Sequence, residues 1–270
     1  MLSESVVDRD LLDTGLSRML RSLGSNSIKS EFDKVLRICF DHDGTVAGSF
    51  PLWLSHIDRF DDKVGWQPND IDVWFHDASA FECLRTTLEK AYSLHVGWLS
   101  SSYRNVVVAT SNGRFKLFDV KLGRSMKVQC ILSDQETIDE TLNNFDLVNC
   151  QVGLKPGTLI INDFGTWNDA ECKKALLLNE VSEFFNSMTN NSLFRIRKYV
   201  ERGYNIDDRS KLSFLRLVAR SIDDGEYHYL DLESFDQRDL LLLSGIAKKK
   251  SKIIERLLKK SSVTLTSICP

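Results

Sequence analysis

No apolar run in the 270 residues approaches the length of a membrane span, so nothing reads as a transmembrane helix. The opening stretch, MLSESVVDRDLLDTG, is acidic and lacks the basic and apolar regions of a secretory signal. There is no C-x-x-C pair. Cys39, Cys83, Cys130, Cys150, Cys172 and Cys269 are scattered and read as reduced and mostly buried, as suits an intracellular, cytoplasmic protein. There is also no strong charge of either sign: the formal net charge is −3, so any nucleic-acid binding needs a local basic patch. Internal repeats are absent, and the one low-complexity patch is Lys248-Lys249-Lys250 with Lys259-Lys260 nearby. What remains has the apolar and charged fractions of an ordinary soluble protein, long enough for one large domain or two small ones.

The stretch from Thr45 to Phe75 carries the chemistry. Asp70-Ile71-Asp72-Val73-Trp74-Phe75 reads as a strand entered from the turn Gln67-Pro68-Asn69. Alternate side chains of a strand share a face, so Asp70 and Asp72 point together and Ile71 and Val73 point the other way. Two ionised carboxylates side by side repel each other, and a bound divalent cation or a shared proton is the usual reason to keep them. Upstream, Val46 and Ala47 form a short strand running into Gly48-Ser49. A helix follows from Phe50 to Ile57, with Pro51 in its first turn where proline is tolerated. Backbone N–H groups at such a helix start can hold a phosphate, and glycine permits close approach.

Residues 1–30 read as a peripheral segment with one short helix and the linker Gly24-Ser25-Asn26-Ser27. Phe32, Val35, Leu36 and Cys39 recur at helical spacing ahead of the turn Asp41-His42-Asp43-Gly44. A helix is expected through Phe81, Leu84, Leu88 and Tyr92, then strands at Val106–Ala109, Gly113–Val120 and Lys127–Leu132. Ser133 with Glu136 spells a capping box for a helix Gln135–Leu142. Asn144–Val152 and Thr158–Ile161 read as further strands. The order predicts an α/β (α+β) fold: a mixed sheet flanked by helices over 31–168, then a mainly helical part over 169–270 with a basic terminal helix. Within the latter, helices are expected at Ala170–Asn186, Leu193–Arg202 and Lys211–Ser221, with Gly203 ending the second. Phe194, Ile196, Tyr199 and Val200 form its apolar pattern, against Arg195, Lys198 and Arg202.

Gly-Ser after a small apolar strand, a helix, then Asp-apolar-Asp-apolar on the next strand resembles the polymerase β-like nucleotidyltransferases, and looks closest to a branch found in large DNA viruses and fungi. The wording that carries this is GSF…NDIDVWF over Gly48–Phe75, TSN at Thr110–Asn112, VQCIL at Val128–Leu132, FDLVNCQV at Phe145–Val152 and RIRKYVERGY at Arg195–Tyr204. The resemblance implies transfer of a nucleotidyl group from a nucleoside triphosphate to a hydroxyl of RNA, protein or a small molecule. It also implies two magnesium (or manganese) ions held by Asp70, Asp72 and a third carboxylate, with Gly48 and Ser49 holding the β and γ phosphates. Asp146 is the first choice for the third carboxylate; the other candidate is Asp119, which as a lone strand residue reads as solvent-facing.

Two rival readings stand beside it. Arg37–Phe40 followed by Asp41-His42-Asp43-Gly44-Thr45 looks like the first motif of haloacid dehalogenase-like phosphatases, an apolar strand ending in a nucleophile (Asp41) and an acid/base (Asp43). The other is a non-catalytic nucleotide- or RNA-binding module on the nucleotidyltransferase fold. His42, His56, His76 and His95 show no metal-ligand spacing.

Overall fold

The computed structural model of the chain describes residues 2–6, 26–60, 66–96, 106–111, 116–122, 126–156, 158–162, 175–182 and 189–223. The expected basic helix at Lys248–Lys260 and the strand start at 113–115 lie outside them. The chain divides into two units, Met1–Asn143 with Asn149–Phe164, and Asn144–Val148 with Gly165–Pro270.

The first unit is built on a mixed nine-stranded sheet. Its strands are β1 (Leu2–Val6), β2 (Thr45–Ala47), β3 (Asp70–Phe75), β4 (Ser93–Val96), β5 (Val106–Ser111), β6 (Lys116–Leu122), β7 (Met126–Leu132), β8 (Val152–Lys155) and β9 (Thr158–Asn162). Their order is β1-β9-β8-β2-β3-β7-β6-β5-β4. Pairing is parallel in β3–β7 and β4–β5 and antiparallel elsewhere. The N-terminal residues expected to be peripheral therefore supply an edge strand, with Leu2 opposite Asn162 and Val6 opposite Thr158. Asn26 and Ser27, expected in a linker, already belong to the first helix, α1 (Asn26–Asp41).

Helical spacing becomes a packed face on α1. Phe32, Val35, Leu36 and Cys39 are all buried, and the Cys39 sulfur lies 3.9 Å from that of Cys130 on β7. Burial and the Cys39 contact push the Cys130 thiol pKa well above its usual range, so it is an inert core residue at neutral pH. Helix α3 (Ala78–Ala91) starts at Asp77, whose carboxylate accepts from Ser79 N at 2.6 Å and Ala80 N at 2.9 Å. It buries Phe81, Leu84 and Leu88. The Phe81 ring bridges Phe75 on β3 (5.7 Å between centroids) and Phe118 on β6 (5.1 Å). Tyr92 donates to Glu31 at 2.7 Å, tying the end of α3 to α1; burial and this bond raise the phenol's pKa.

The Arg37–Asp41 segment is the last turn of α1 and not a strand, which removes the phosphatase-like motif. Gly44 N donates to Cys39 O at 2.9 Å and Asp43 N to Phe40 O at 3.1 Å, the paired bonds of a Schellman ending. Asp43 takes the left-handed position with φ 60°, a conformation that Asp tolerates better than most residues. Gly44 is confined for another reason: a Cβ there would stand 2.8 Å from Cys39 O and from two Phe75 ring carbons. Asp41 and Asp43 are thus exposed residues of a helix terminus.

A capping box does open α4 (Ile138–Asn143), one turn later than expected. Thr137 Oγ1 accepts from Glu140 N at 3.2 Å, and Glu140 Oε2 accepts from Thr137 N at 3.2 Å. Both S-D-Q-E and T-I-D-E spell the box; the second is followed by the buried Ile138, Thr141 and Leu142. The strand expected over Asn144–Val152 is not formed: a bridge at Leu147 and a 3₁₀ turn at Val148–Cys150 take its place, and only Val152 enters a strand, as the first residue of β8.

In the second unit, β10 (Ala175–Leu176) pairs in parallel with β11 (Asn205–Ile206), so part of the helix expected over Ala170–Asn186 is strand. Helix α5 (Thr189–Glu201) buries Ser192, Leu193, Ile196 and Tyr199, while Phe194 and Val200 of the expected apolar pattern are exposed. Gly203 ends it at φ 86°, as expected: Gly203 N bonds Val200 O, Tyr204 N bonds Tyr199 O, and the two tyrosine rings meet edge to face at 5.3 Å. Helix α6 (Asp208–Asp223) follows, capped by Asp207. Asp207 is also gripped by Arg209 through 2.8 and 3.0 Å bonds, which lower its carboxyl pKa.

Candidate active site

The alternation read from the sequence is present in β3. Ile71 and Val73 are fully buried, whereas Asp70 and Asp72 are partly exposed on the opposite face. Ala47 of β2 is the cross-strand partner of Asp72 in antiparallel register. The chain therefore leaves the sheet at Gly48 beside the end of β3 that Asp70 opens. Gly48 has φ 87°, its N–H is bound to Val152 O at 3.1 Å, and its carbonyl accepts from Leu52 N at 3.2 Å, so it caps the helix α2 (Ser49–Phe60). The carboxylate pair and the start of α2 lie side by side at one end of the adjacent central strands β3 and β2. The first-turn amides of a helix lack intrahelical partners and carry partial positive charge, which suits a phosphate.

On the other side of β3 the partners are those of β7, with Asp70 opposite Lys127 and Asp72 opposite Gln129. One strand further, Asp119 of β6 is opposite Gln129. Asp72, Gln129 and Asp119 thus form a row across three strands and share a face. Asp119 does not face solvent: it is 9% exposed, its Oδ1 accepts from Gln129 Nε2 at 2.7 Å and its Oδ2 from Lys127 Nζ at 3.4 Å.

Asp146 belongs to the second unit. It is 3% exposed, and one oxygen takes bonds from Ser192 Oγ at 2.6 Å and Arg195 Nε at 2.9 Å, with Arg195 Nη2 at 2.8 Å. The expected strand that was to present it is absent, and its charge is balanced by the Arg195 guanidinium within its own unit. Arg195, which as part of a basic helix face reads as solvated, was linked to Asp146 by no signal in the sequence. Among the described residues no three His, Cys, Asp or Glu side chains are gathered closely enough to hold a metal ion. The carboxylates of Asp70 and Asp72 are hard-oxygen groups of the kind divalent cations take as ligands.

A second polar group lies at the far ends of the parallel strands β3 and β7. His76 Nε2 is 3.0 Å from Thr141 Oγ1, which is 2.8 Å from Ser133 Oγ, and Ser133 N donates to Phe75 O at 2.8 Å. Burial, with the positive charge of Lys155, lowers the His76 pKa. These bonds latch α4 to the sheet.

No family model matches the chain, and no curated protein matches it in sequence. Solved structures do match in fold. A CCA-adding enzyme of Thermotoga maritima complexed with tRNA is 16% identical, with a TM-score of 0.52 over 95% of this chain and 54% of its own. A CCA-adding enzyme in its apo form is also 16% identical, with a TM-score of 0.50 over 92% and 53%. The chain spans about half the length of those enzymes. The likeness does not support the viral and fungal branch. At this identity the likeness concerns architecture alone: the mixed sheet and its helices share the fold of those CCA-adding enzymes.

Proposed function

We propose that the chain is a metal-dependent nucleotidyltransferase that moves a nucleotidyl group from a nucleoside triphosphate to a hydroxyl of RNA. The observation that carries this is the end of the central strands β2 and β3, where Asp70 and Asp72 share a face beside the Gly48–Ser49 helix start. Fold likeness to CCA-adding enzymes supports RNA as the acceptor class.

Asp70 and Asp72 would hold magnesium or manganese, which when bound neutralises charge on the α-phosphate and on the departing pyrophosphate. The amides after Gly48 and the Ser49 hydroxyl would grip the β and γ phosphates. That holds the α-phosphorus before the carboxylates for in-line attack by the acceptor oxygen. The new bond joins that oxygen to the α-phosphorus, the bond to the bridging oxygen breaks, and the hydroxyl proton passes to a carboxylate or water. Positioning and charge supply most of such a rate enhancement. Asp146 is left out of the metal site because Ser192 and Arg195 engage its carboxylate.

The test is label transfer from each of the four nucleoside triphosphates with magnesium or manganese, offering RNA, protein and small-molecule acceptors beside an Asp70→Ala/Asp72→Ala double variant. Labelled RNA that disappears with the double variant is the expected outcome. Transfer that survives it refutes the assignment. Metal-dependent nucleotide binding without transfer marks a non-catalytic module.

A further inference from the structure

Neither strand adjoining β3 carries a carboxylate opposite Asp72. The partner is Ala47 on one side and Gln129 on the other, and Asp119 stands one strand beyond Gln129. Adjacent strands lie about 4.8 Å apart, so Gln129 is the polar side chain next to Asp72 on this face and Asp119 is about twice that distance away. The 2.7 Å bond between Gln129 Nε2 and Asp119 Oδ1 determines which way the amide is turned. A carboxylate accepts and does not donate, so the amide nitrogen must face Asp119 and the amide oxygen must face elsewhere. Lys127 Nζ, 3.4 Å from Asp119 Oδ2, holds the other carboxylate oxygen and balances its charge. Asp119 is 9% exposed, so it is fixed in this orienting role by burial as well as by its two partners.

We propose that the third protein oxygen for the cation at Asp70 and Asp72 is the amide oxygen of Gln129, and that Asp119 is the positioning residue that aims it. This rests on the nucleotidyltransferase reading above and names the two residues that complete its site. Amide oxygens are ordinary ligands for hard divalent cations, and a buried partner that fixes a ligand's orientation typically controls 10–100-fold in metal affinity. A site built from two carboxylates and one amide carries one negative charge fewer than a three-carboxylate site. It binds its cation less tightly and relies more on the nucleotide's own phosphates.

The experiment is Mn²⁺ binding to the full chain, followed by the electron paramagnetic resonance signal of free Mn²⁺ with and without a non-hydrolysable nucleoside triphosphate. Circular dichroism and thermal melts verify folding of each variant. Gln129→Leu, which alters no charge, and Asp119→Asn, which lets the amide turn round, are each expected to weaken binding by about 10–100-fold. The exchange Asp119→Asn/Gln129→Glu keeps the net charge of the pair and lets the new amide donate to the new carboxylate. It is expected to restore binding to at least the original affinity.

If Asp70→Ala/Asp72→Ala abolishes Mn²⁺ binding while Gln129→Leu and Asp119→Asn leave it unchanged, the inference fails and the nucleotidyltransferase site stands. If the unaltered chain binds no Mn²⁺, or the Asp70/Asp72 double variant binds it as well, both fail. Weakening in Asp119→Asn without recovery in the exchanged pair overturns the orienting role.

Discussion

Asp43 and Gly44 are neighbours in one turn, and substituting each should move stability in opposite directions. Asp43 sits at φ 60° as the left-handed residue of the α1 ending, where an L side chain costs roughly 1–2 kcal/mol and Asp somewhat less. Asp43→Gly removes that cost but adds backbone freedom to the unfolded chain, for a net gain of up to about 1 kcal/mol. For a domain of this size 1 kcal/mol corresponds to about 2–4 °C in Tm. Gly44→Ala instead drives a methyl to 2.8 Å from the Cys39 carbonyl and from the Phe75 ring, itself packed edge to face against Phe81. The ring cannot retreat without disturbing the core, so overpacking should cost about 1–3 kcal/mol, a Tm fall of several degrees. The assay is paired thermal and urea unfolding, with hydrolysis of a generic phosphomonoester measured in parallel. A large stability loss in Asp43→Gly would refute the helix-ending account. Phosphomonoester turnover that requires Asp41 and Asp43 would restore the phosphatase reading.

Three further outcomes follow from local geometry. Gly48→Ala places a Cβ on a residue at φ 87°, so it should destabilise by roughly 1–2 kcal/mol. Because it disturbs the start of α2, it should also raise the KM for the nucleoside triphosphate, measured in the transfer assay. Thr137→Ala removes one half of the capping box and should cost about 1 kcal/mol in urea unfolding; a loss under a few tenths would show the box to be inessential. His76 has its pKa lowered in the fold from 6.5, so protonation favours the unfolded chain. Its stabilising contribution is complete above about pH 6.5 and is lost as the pH falls from there through the lowered folded value. His76→Gln should flatten that part of the stability–pH curve, and an unchanged slope would assign the effect to other groups.

The pairing of Asp70 and Asp72 with the Gly48–Ser49 helix start was legible in the sequence because its signals are local. Alternation in Asp70–Phe75 and a glycine between a short strand and a helix both follow from neighbours within a few residues. The endings at Gly203 and the packed face of α1 were legible for the same reason. One segment kept two readings open because its spelling admits two structures. R-I-C-F-D-H-D-G-T satisfies an apolar strand with a catalytic turn and equally an amphipathic helix with a Schellman ending; the spacing of Phe32, Val35, Leu36 and Cys39 decides for the helix. Phe194 and Val200 were misplaced because apolar identity was taken for burial, although single exposed apolar residues are common.

The choice between Asp119 and Asp146 depended on contacts that spacing does not encode. Asp146 precedes an apolar run, which made it look like a strand residue, but what governs it is an arginine 49 positions later. Asp119 looked solvent-facing because its neighbours alternate cleanly. The register of β6 on β7 puts it opposite Gln129, and that of β7 on β3 puts Gln129 opposite Asp72. Each pairing is fixed by burial of the opposite face, where Phe118, Val120, Val128 and Cys130 join Ile71 and Val73. A slip of one residue in either ladder would turn these apolar side chains outward. The core that sets the register therefore also sets which polar residues meet at the site, and the row Asp72–Gln129–Asp119 is a consequence of how the hydrophobic face is filled.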